Sequence, residues 1–158
     1  MTLSLKTLIE EIRSCETCWN FSDTTPCHIC ANEKRNTKVI CVVELFQNVE
    51  ALEKTNIHNG RYHVLRGTLD TASKYSNSYL KIPELMERLK NEGITEVILA
   101  LNPDLKGETT MMFLEKKIKE HNNDVTVSRL ARGLPMGSDV LYADEMTLQS
   151  AFKNRKKS

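Results

Sequence analysis

The stretches Cys15-Glu-Thr-Cys18 and Pro26-Cys-His-Ile-Cys30 decide how the first part of this chain folds. Two residues separate the cysteines of each pair, so both sulfurs of a pair can turn toward one point. The short segment between the pairs brings the second pair round to complete a tetrahedron, and four thiolates in that shape form a closed structural zinc site. Two disulfides or four unrelated thiols are the alternatives. The regular spacing, in a chain without a secretory signal, favours zinc.

The bulk composition fits one ordinary domain with a small appendage, since 40% of the 158 residues are hydrophobic and 27% are charged. No apolar run approaches the roughly 18 residues of a membrane span, and the N-terminal segment does not have the pattern of a signal peptide. We therefore expect reduced cysteines and a cytoplasmic protein. The net charge of only +1 does not by itself indicate a nucleic-acid binder.

Basic side chains are nevertheless concentrated in places. Lys34, Arg35 and Lys38 follow the last cysteine of the pairs, where they could contact phosphates. Arg129 and Arg132 are further candidates for DNA binding, although pairing with nearby carboxylates is the ordinary fate of such arginines. A solvated tail is the plainer interpretation of the C-terminal cluster, which consists of Lys153, Arg155, Lys156 and Lys157.

The chain divides into four predicted segments. Apolar residues at helical spacing predict a short amphipathic helix near residues 5–14, so residues 1–14 form an N-terminal helical segment. Residues 15–37 form the zinc finger, which has too few apolar residues for a core and would draw its folding free energy from metal binding. Residues 38–133 form a larger domain, and residues 134–158 form a loop, a helix and a basic tail.

Strands and helices alternate from Lys38 onward. Predicted strands lie at residues 39–43, 62–65, 95–101 and 125–130, and the first and third are apolar enough to be covered on both faces. Predicted helices lie at residues 47–54, 83–91 and 109–121, and a last helix runs from its capping residue Asp144 to about Asn154. Residues 68–81 have the composition of a polar surface loop. This alternation predicts an α/β fold with a largely parallel sheet flanked by helices.

Acidic residues follow two of the predicted strands. Glu44 ends the first strand, and Asp104 and Glu108 follow the third. Because functional groups of open α/β sheets gather at the carboxyl ends of strands, these three residues could bind Mg²⁺ weakly or contact a partner. The plainer interpretations are a hydrogen-bonded carboxylate that organises loops for Glu44 and a turn residue for Asp104.

The other residues with reactive side chains do not predict a catalytic site. Cys41 lies in an apolar run, which indicates a buried small hydrophobe. His63 falls in a predicted strand and is expected to be a core histidine. His28 lies inside the second cysteine pair, whose site already has four ligands. The sequence contains no glycine-rich phosphate loop and no serine or cysteine in a recognisable nucleophile setting.

These motifs together resemble those of the bacterial RecR recombination mediators, from about residue 6 to the end of the chain. The matching segments are Cys15–Cys18, Pro26–Cys30, Ile40–Glu44, Ala51–Thr55, Tyr62–Leu65, Val97–Ala100, Asn102–Pro103, Gly107–Thr109, Ala131–Gly137 and Tyr142–Leu148. The resemblance implies a four-cysteine zinc finger followed by a Toprim domain, the acidic α/β module shared with topoisomerases and primases. The zinc ligands that it implies are Cys15, Cys18, Cys27 and Cys30, and Glu44 matches the Toprim glutamate.

The resemblance also implies a function in DNA repair and recombination. RecR-like proteins are non-enzymatic mediators that pair through the C-terminal half, form ring-like oligomers and work with RecO and RecF at single-stranded gaps. Catalytic Toprim enzymes carry Asp-x-Asp where this chain has Asn102-Pro-Asp104, and the missing carboxylate argues against phosphodiester chemistry. The alternatives are a Mg²⁺-dependent nuclease or transferase using Glu44, Asp104 and Glu108, and a pure interaction module without DNA binding of its own.

The sequence departs from the family pattern at several places. Leu45 stands where a second glutamate is usual, Asp104 replaces an uncharged residue, and the loop 68–81 lacks the usual glycine- and proline-containing pattern. The family's N-terminal helix-hairpin-helix region, which carries much of its DNA contact and one of its two oligomer interfaces, has no counterpart before the finger. We therefore expect that DNA contact can depend on a partner protein. We also expect that this chain binds a different partner or binds its partner more weakly.

Overall fold

The computed structural model of the chain describes residue 5, residues 11–73 and residues 77–158. The chain separates into two compact units, one ending at Ser128 and the other running from Arg129 to Ser158. Within the described part of the chain, no helix has the length and apolar character needed to cross a membrane.

A small hairpin surrounds the first cysteine pair. Strands β1 (Arg13–Ser14) and β2 (Phe21–Ser22) pair antiparallel, and the short helix α1 (His28–Ala31) begins directly after Cys27. Most of the helix predicted near residues 5–14 falls outside the described residues. Its predicted C-terminal end is wrong, because Arg13 and Ser14 are strand residues that pair with β2.

A four-stranded sheet is the centre of the fold. Its strands are β3 (Asn36–Val43), β4 (Gly60–Val64), β5 (Glu96–Ala100) and β6 (Thr126–Arg129). They lie in the order β4-β3-β5-β6, and β3 pairs in parallel with both β4 and β5. The predicted α/β fold with a largely parallel sheet is confirmed.

Three helices follow strands of this sheet: α2 (Phe46–Glu53), α3 (Ile82–Asn91) and α4 (Leu105–His121). Helices α2 and α3 lie within one residue of their predicted bounds. Helix α4 begins four residues before the predicted start at Thr109, because Asp104 caps it: the Gly107 N–H donates to Asp104 Oδ1 at 2.7 Å. A side-chain oxygen at this position satisfies a helix N–H that has no partner within the helix.

Strand β3 supplies side chains to two apolar clusters, because successive residues of a strand point to opposite faces. Ile40 and Val42 belong to the cluster that includes residues of α3 and α4. Cys41 and Val43 belong to the other cluster, which includes Val49 of α2. All four β3 residues are buried. Burial on both faces explains why the sequence of this strand is a continuous apolar run.

The second apolar cluster also contains the finger. The sulfur-bearing residues Cys15, Cys18, Cys27 and Cys30 pack in it together with residues of the sheet. Those sheet residues are Cys41, Val43, Tyr62 and Val64. The finger therefore shares the core of one sheet face.

The second unit contains a 3₁₀ helix (Val140–Tyr142) and helix α5 (Glu145–Lys153). Asp144 caps α5 as predicted, and hydrogen bonds from the hydroxyl and the N–H of Thr147 lower the pKa of this aspartate. Neither helix has a buried residue. The large apolar side chains exposed in this unit are Leu130, Leu134, Met136, Val140, Leu141, Tyr142, Met146 and Phe152.

His63 is a buried core histidine, as the sequence predicts. Its Nε2 lies 2.7 Å from the Lys81 carbonyl oxygen, and its Nδ1 lies 3.4 Å from Arg88 Nη1. Arg88 is itself held by both carboxylate oxygens of Glu92 and by the Tyr62 carbonyl. Burial, and secondly the charge of Arg88, lower the pKa of His63 to about 3.

Acid should destabilise this fold through His63. The histidine takes a proton near pH 6.5 in the unfolded chain but only near pH 3 in the folded chain. The folded state is therefore fully stable with respect to this group above pH 6.5, and it loses stability as the pH falls from 6.5 toward 3. Linkage gives a loss of about 2 kcal/mol at pH 5. Urea unfolding at neutral pH and at pH 5 measures the loss, which should shrink by that amount in His63→Gln. Equal losses in the two proteins would contradict the prediction.

Candidate functional site

Two short turns hold the cysteine pairs. In the first turn, the Trp19 N–H donates to the Cys15 carbonyl at 2.8 Å, and the Cys15 N–H donates to the Asn20 carbonyl at 2.8 Å. In the second turn, the carbonyl of Cys27 accepts from the Ala31 N–H at 2.9 Å, which closes the first turn of α1. These backbone hydrogen bonds fix the two residues between the cysteines of each pair.

The four sulfur atoms meet in one buried cluster. The Sγ atoms of Cys15, Cys18, Cys27 and Cys30 all lie within 4.8 Å of one another, and those of Cys18 and Cys27 are 3.6 Å apart. In a tetrahedral site with Zn–S bonds of about 2.3 Å, the sulfurs stand about 3.8 Å apart. None of the four residues is more than 5% exposed. The donor set and its geometry fit a structural zinc site with four thiolate ligands, whereas His28 is exposed and lies outside the group.

The sulfur atoms share hydrogen bonds that a metal ion would replace. Contacts with Cys27 and Cys30, followed by burial, raise the pKa of the Cys18 thiol, whereas hydrogen bonds from Cys18 and Cys30 lower the pKa of Cys27. The Cys27 N–H also donates to Cys15 Sγ at 3.3 Å, and such donors stabilise a ligating thiolate. Zinc would hold all four residues as thiolates and would release the remaining thiol protons on binding.

The finger is fixed to the sheet domain by a backbone contact with β4 and a side-chain contact with the residue that precedes α3. The Val64 N–H donates to the Cys18 carbonyl at 2.8 Å. The Lys81 ammonium lies 3.9 Å from the centroid of the Trp19 ring, in a cation–π contact. These contacts join the first turn of the metal site to the sheet domain.

Arg66 makes a second connection between the finger and the sheet domain. Its guanidinium carbon lies 5.7 Å from the Trp19 ring centroid and 5.1 Å from the Phe21 ring centroid, and Nη2 donates to the Ser14 hydroxyl. Phe21 also meets Phe46 of α2 edge to face, with the ring centroids 5.0 Å apart. These residues follow no regular spacing in the sequence, so no sequence pattern predicts their contacts. Trp19 offered the only signal, as the single tryptophan directly after a ligand cysteine.

Polar side chains meet at the carboxyl edge of the sheet. Glu44 follows β3 and Asn102 lies two residues beyond β5; because the two strands are parallel neighbours, the side chains come together. Asn102 Nδ2 donates to Glu44 Oε2 at 3.1 Å. Burial, and secondly the negative charge of Asp104, raise the pKa of Glu44. The edge therefore places the Glu44 carboxylate between an amide donor and a second carboxylate.

The two acidic residues after β5 take different places. Asp104 caps α4, and Glu108 lies half-buried in the first turn of that helix. Gly107 packs so closely against the preceding loop that a Cβ there would stand 1.8 Å from the Asn102 carbonyl oxygen. Among the described residues, only the four cysteines bring three or more metal-ligating atoms within 4.8 Å of one another. Glu44, Asp104 and Glu108 do not form such a group.

Replacing Glu44 with glutamine should leave the fold as stable as before or slightly more stable. The raised pKa means that folding disfavours the ionised form, and this penalty exists above the ordinary pKa of 4.5 and disappears below it. Glutamine keeps an oxygen for Asn102 and removes the repulsion from Asp104. At neutral pH the thermal midpoint should be unchanged or about 1–2 °C higher. Glu44→Ala, which removes the acceptor, is the matched control, and a clear loss of stability in Glu44→Gln would contradict the reasoning.

The basic residues after the finger are placed differently from one another. Lys34 and Lys38 are exposed. Arg35 instead pairs with both carboxylate oxygens of Glu53 and donates to the Gly60 carbonyl at 2.9 Å, and its side chain is 14% exposed. Hydrogen bonding to Glu53 raises the pKa of Arg35 further. Because this ion pair occupies the guanidinium, Arg35 is a weaker candidate for phosphate contact than the exposed Lys34 and Lys38.

The remaining basic candidates lie in the second unit. Arg129 is exposed and Arg132 is half-buried, and both take part in interactions there. The Arg132 carbonyl accepts from Asn154 Nδ2 at 2.9 Å, which joins the start of the unit to the end of α5. The basic residues of the C-terminus are all exposed: Lys153, Arg155, Lys156 and Lys157.

Comparison with known families gives matches along most of the chain. The four-cysteine zinc finger domain of RecR matches residues 12–32, the family described as "Toprim domain" matches residues 38–131, and "RecR, C-terminal" matches residues 133–156. Similar curated relatives carry the name Recombination protein RecR. The relative from Natranaerobius thermophilus is 45% identical over 147 residues, which are 93% of this chain and 73% of the relative. The relative from Pelotomaculum thermopropionicum is 42% identical over 160 residues, with 99% and 79% covered.

Proposed function

The chain belongs to the RecR family of recombination proteins, and from this membership we propose that it is a non-enzymatic mediator of recombinational DNA repair. The family resemblance inferred from the motifs is confirmed, and so are the four-cysteine zinc finger, its structural zinc and the Toprim domain. A mediator needs a rigid scaffold that presents surfaces to partners, and it needs no site for bond cleavage. The shared core of finger and sheet supports this role.

The observation that carries the proposal is the amide of Asn102 at the sheet edge. It stands where catalytic Toprim enzymes have the first carboxylate of Asp-x-Asp, and it donates a hydrogen bond to Glu44. Asp104 matches the second aspartate of that motif. It accepts a hydrogen bond from the Gly107 N–H and so caps helix α4. Mg²⁺ requires oxygen ligands with near-octahedral geometry, and phosphoryl chemistry needs the charge of several carboxylates around it. The edge supplies too little negative charge for that chemistry.

We propose that the same edge contacts RecO-like and RecF-like proteins at single-stranded gaps. Glu44 offers an acceptor there, and the neighbouring Leu45 and Phe46 are 41% and 40% exposed, so the edge combines polar and apolar surface. The exposed Lys34 and Lys38 support a direct but weak contribution to DNA binding, since each phosphate contact releases counterions and steepens the salt dependence. DNA binding would otherwise come through the partner.

Assays of cleavage and of binding test the proposal. With Mg²⁺ or Mn²⁺, the purified chain should cleave neither single-stranded nor gapped DNA above the level of Glu44→Gln. In gel-shift assays, a RecO-like partner should enhance the shift of gapped DNA, and Lys34→Gln with Lys38→Gln should weaken any shift by the chain alone. Cleavage that Glu44→Gln abolishes would replace the mediator with a metal-dependent nuclease. A shift seen only with the partner would favour a pure interaction module.

We also propose that the chain self-associates through residues 129–158. The helices of this unit bury no residue, although Val140, Leu141, Tyr142 and Phe152 are each at least 60% exposed. Exposed apolar side chains in this density indicate an interaction surface. Sedimentation should show a dimer or a larger oligomer. Leu141→Glu should weaken this association more than Leu105→Glu, a change at a similarly exposed leucine of the first unit. A strict monomer at high concentration would contradict the proposal.

A further inference from the structure

Helix α4 carries two separate sets of apolar side chains. One set is buried in the core of the sheet domain and consists of Met111, Leu114 and Ile118. The other set is exposed to solvent, since Leu105 is 84% exposed, Met112 is 64% exposed and Phe113 is 41% exposed. A surface helix ordinarily has one apolar stripe, which faces the core, and polar residues on the opposite face. The packing of this domain therefore does not account for the second set.

The exposed apolar side chains lie on one face of α4. Met112 and Phe113 follow Leu105 by seven and eight residues, which is about two helical turns, so the three residues share a face. Thr109 lies between them, and its hydroxyl is occupied because it donates to the Leu105 carbonyl at 2.8 Å. Contiguous apolar surface of this kind marks an interaction site, whereas single exposed apolar residues do not.

Lysine side chains flank this apolar face. Lys106 follows Leu105 and Lys117 lies about one turn beyond Phe113; both lysines are exposed, and neither takes part in a salt bridge in the part of the chain that the structure describes. Lys117 Nζ lies 5.4 Å from the Phe113 ring centroid, so its charge is held next to the apolar surface. The apolar face therefore has unpaired positive charge beside it.

The carboxylates of α4 lie to the other side of the face or are already engaged. Helical spacing places Glu108 and Glu115 on the margin opposite to Lys106 and Lys117. Both glutamates are half-buried and take part in interactions. A third carboxylate, Glu120, stands 3.9 Å from Lys116 Nζ near the end of the helix. The face thus has an apolar centre, a basic margin and an acidic margin.

We propose that this face of α4 docks an amphipathic helix of a protein partner, with acidic residues along the margin that meets Lys106 and Lys117. Amphipathic helices are recognised through apolar anchors spaced by three, four and seven residues, and the repeat of Leu105 and Met112 fits that spacing. Phe113 supplies an aromatic anchor, and the unbranched side chain of Met112 adapts to the shape of its neighbour. Carboxylates on the partner helix would pair with the two unpaired lysines.

Charge and apolar surface together select this occupant. Phosphate groups gain nothing from Leu105 and Met112, and the margin of Glu108 and Glu115 repels them, so nucleic acid fits the face less well than an acidic helix does. The face does not include Glu44 or the other residues of the sheet edge to which the mediator proposal assigns partner contact. It is therefore a second protein-docking surface.

A designed peptide tests the proposal directly. The probe is a fluorescently labelled peptide of about 18 residues, long enough to be partly helical in water, with leucines on one face and glutamates on the other. The full chain is titrated into it while the fluorescence anisotropy is recorded. The control peptide keeps the leucines and has lysines in place of the glutamates. We expect saturable binding of the glutamate peptide that weakens with added salt, and about tenfold weaker binding of the lysine peptide.

Two double variants test which residues carry the binding. Met112→Gln/Phe113→Gln should bind the glutamate peptide about tenfold more weakly, as expected for the loss of apolar anchors. Lys106→Gln/Lys117→Gln should bind it about fivefold more weakly and with a smaller effect of salt. Leu141→Gln, a change at an exposed leucine of the second unit, should bind like the unchanged chain. Zinc content and thermal unfolding of all three variants should match those of the unchanged chain, because every replaced side chain is exposed.

Four results would overturn the proposal. Full affinity of Met112→Gln/Phe113→Gln, or equal binding of the lysine peptide, would show that the face does not select an acidic amphipathic helix. A single-stranded oligonucleotide that displaces the peptide and binds Lys106→Gln/Lys117→Gln more weakly would assign the face to nucleic acid. Loss of an oligomer in sedimentation of Met112→Gln/Phe113→Gln would assign it to a second copy of the chain. Because no outcome depends on cleavage, gapped DNA or a RecO-like protein, failure here leaves the mediator proposal standing.

Discussion

Replacing Cys27 with serine should release the zinc ion and unfold the sheet face that packs against the finger, as well as the finger itself. The ligand cysteines share one apolar cluster with Tyr62 and Val64 of β4 and with Val49 of α2. Zinc contributes about 10–16 kcal/mol to the folding of isolated finger peptides, whereas a whole domain is stable by only about 5–15 kcal/mol. Loss of the metal should therefore remove most of the stability of this half of the domain.

Hydrogen exchange and metal analysis measure this effect together. We expect one zinc ion per unchanged chain, less than one in Cys27→Ser, and faster amide exchange in β4 and α2 as well as in residues 15–30. Cys41→Ala is the matched control, because Cys41 belongs to the same cluster but not to the four-sulfur group. It should keep its zinc and lose about 1 kcal/mol of stability. Unchanged exchange in β4 after zinc release would show that the sheet stands without the finger.

Replacing Gly107 with alanine should cost about 3 kcal/mol or more of stability and disturb the carboxyl edge of the sheet. The new Cβ would stand 1.8 Å from the Asn102 carbonyl oxygen, so the backbone of α4 or of the loop before it must move. For a chain of this length the thermal midpoint should fall by about 6–12 °C. The same shift would move Asn102 away from Glu44 and Asp104 away from the helix N-terminus that it caps.

The control for this prediction is Gly133→Ala. A Cβ at Gly133 would meet nothing closer than the Ala151 Cα at 3.9 Å, which is an ordinary contact. Its thermal midpoint should stay close to that of the unchanged chain. If Gly107→Ala unfolds at the same temperature as Gly133→Ala, the loop can relax without cost and the close approach has no role in positioning Asn102.

The metal site and the strands of a largely parallel sheet were accessible from sequence because both depend on local rules. Two-residue spacing alone brings the sulfurs of a cysteine pair together, and the continuous apolar runs of β3 and β5 indicate burial on both faces. The sheet edge followed from topology, since parallel neighbours place Glu44 and Asn102 side by side. The start of α4 was predicted four residues too late, because Asp104 was given a turn role and not the capping role that it has.

Contacts between distant parts of the chain could not be derived in this way. Arg35 lies in a basic run of the sequence, yet folding brings it to Glu53, 18 residues later, and the ion pair changes its interpretation. The cation–π contact of Trp19 with Lys81 joins residues that no periodic pattern connects. Local strand pairing likewise outweighed helical spacing at Arg13 and Ser14. The contacts of Arg35 and Trp19 depend on tertiary packing, which residue spacing does not report.

The hydrogen bond from Val64 to the Cys18 carbonyl has a consequence for solubility. β4 is the outermost strand on its side of the sheet, and such strands are templates for pairing with other chains. The finger accepts a hydrogen bond from the Val64 N–H, and the Arg88 side chain donates one to the Tyr62 carbonyl. These contacts block the β4 edge of the sheet against pairing with a strand of another molecule. Metal-depleted protein would uncover it. Chelation should therefore produce aggregates rich in intermolecular β-structure before it produces a fully unfolded chain.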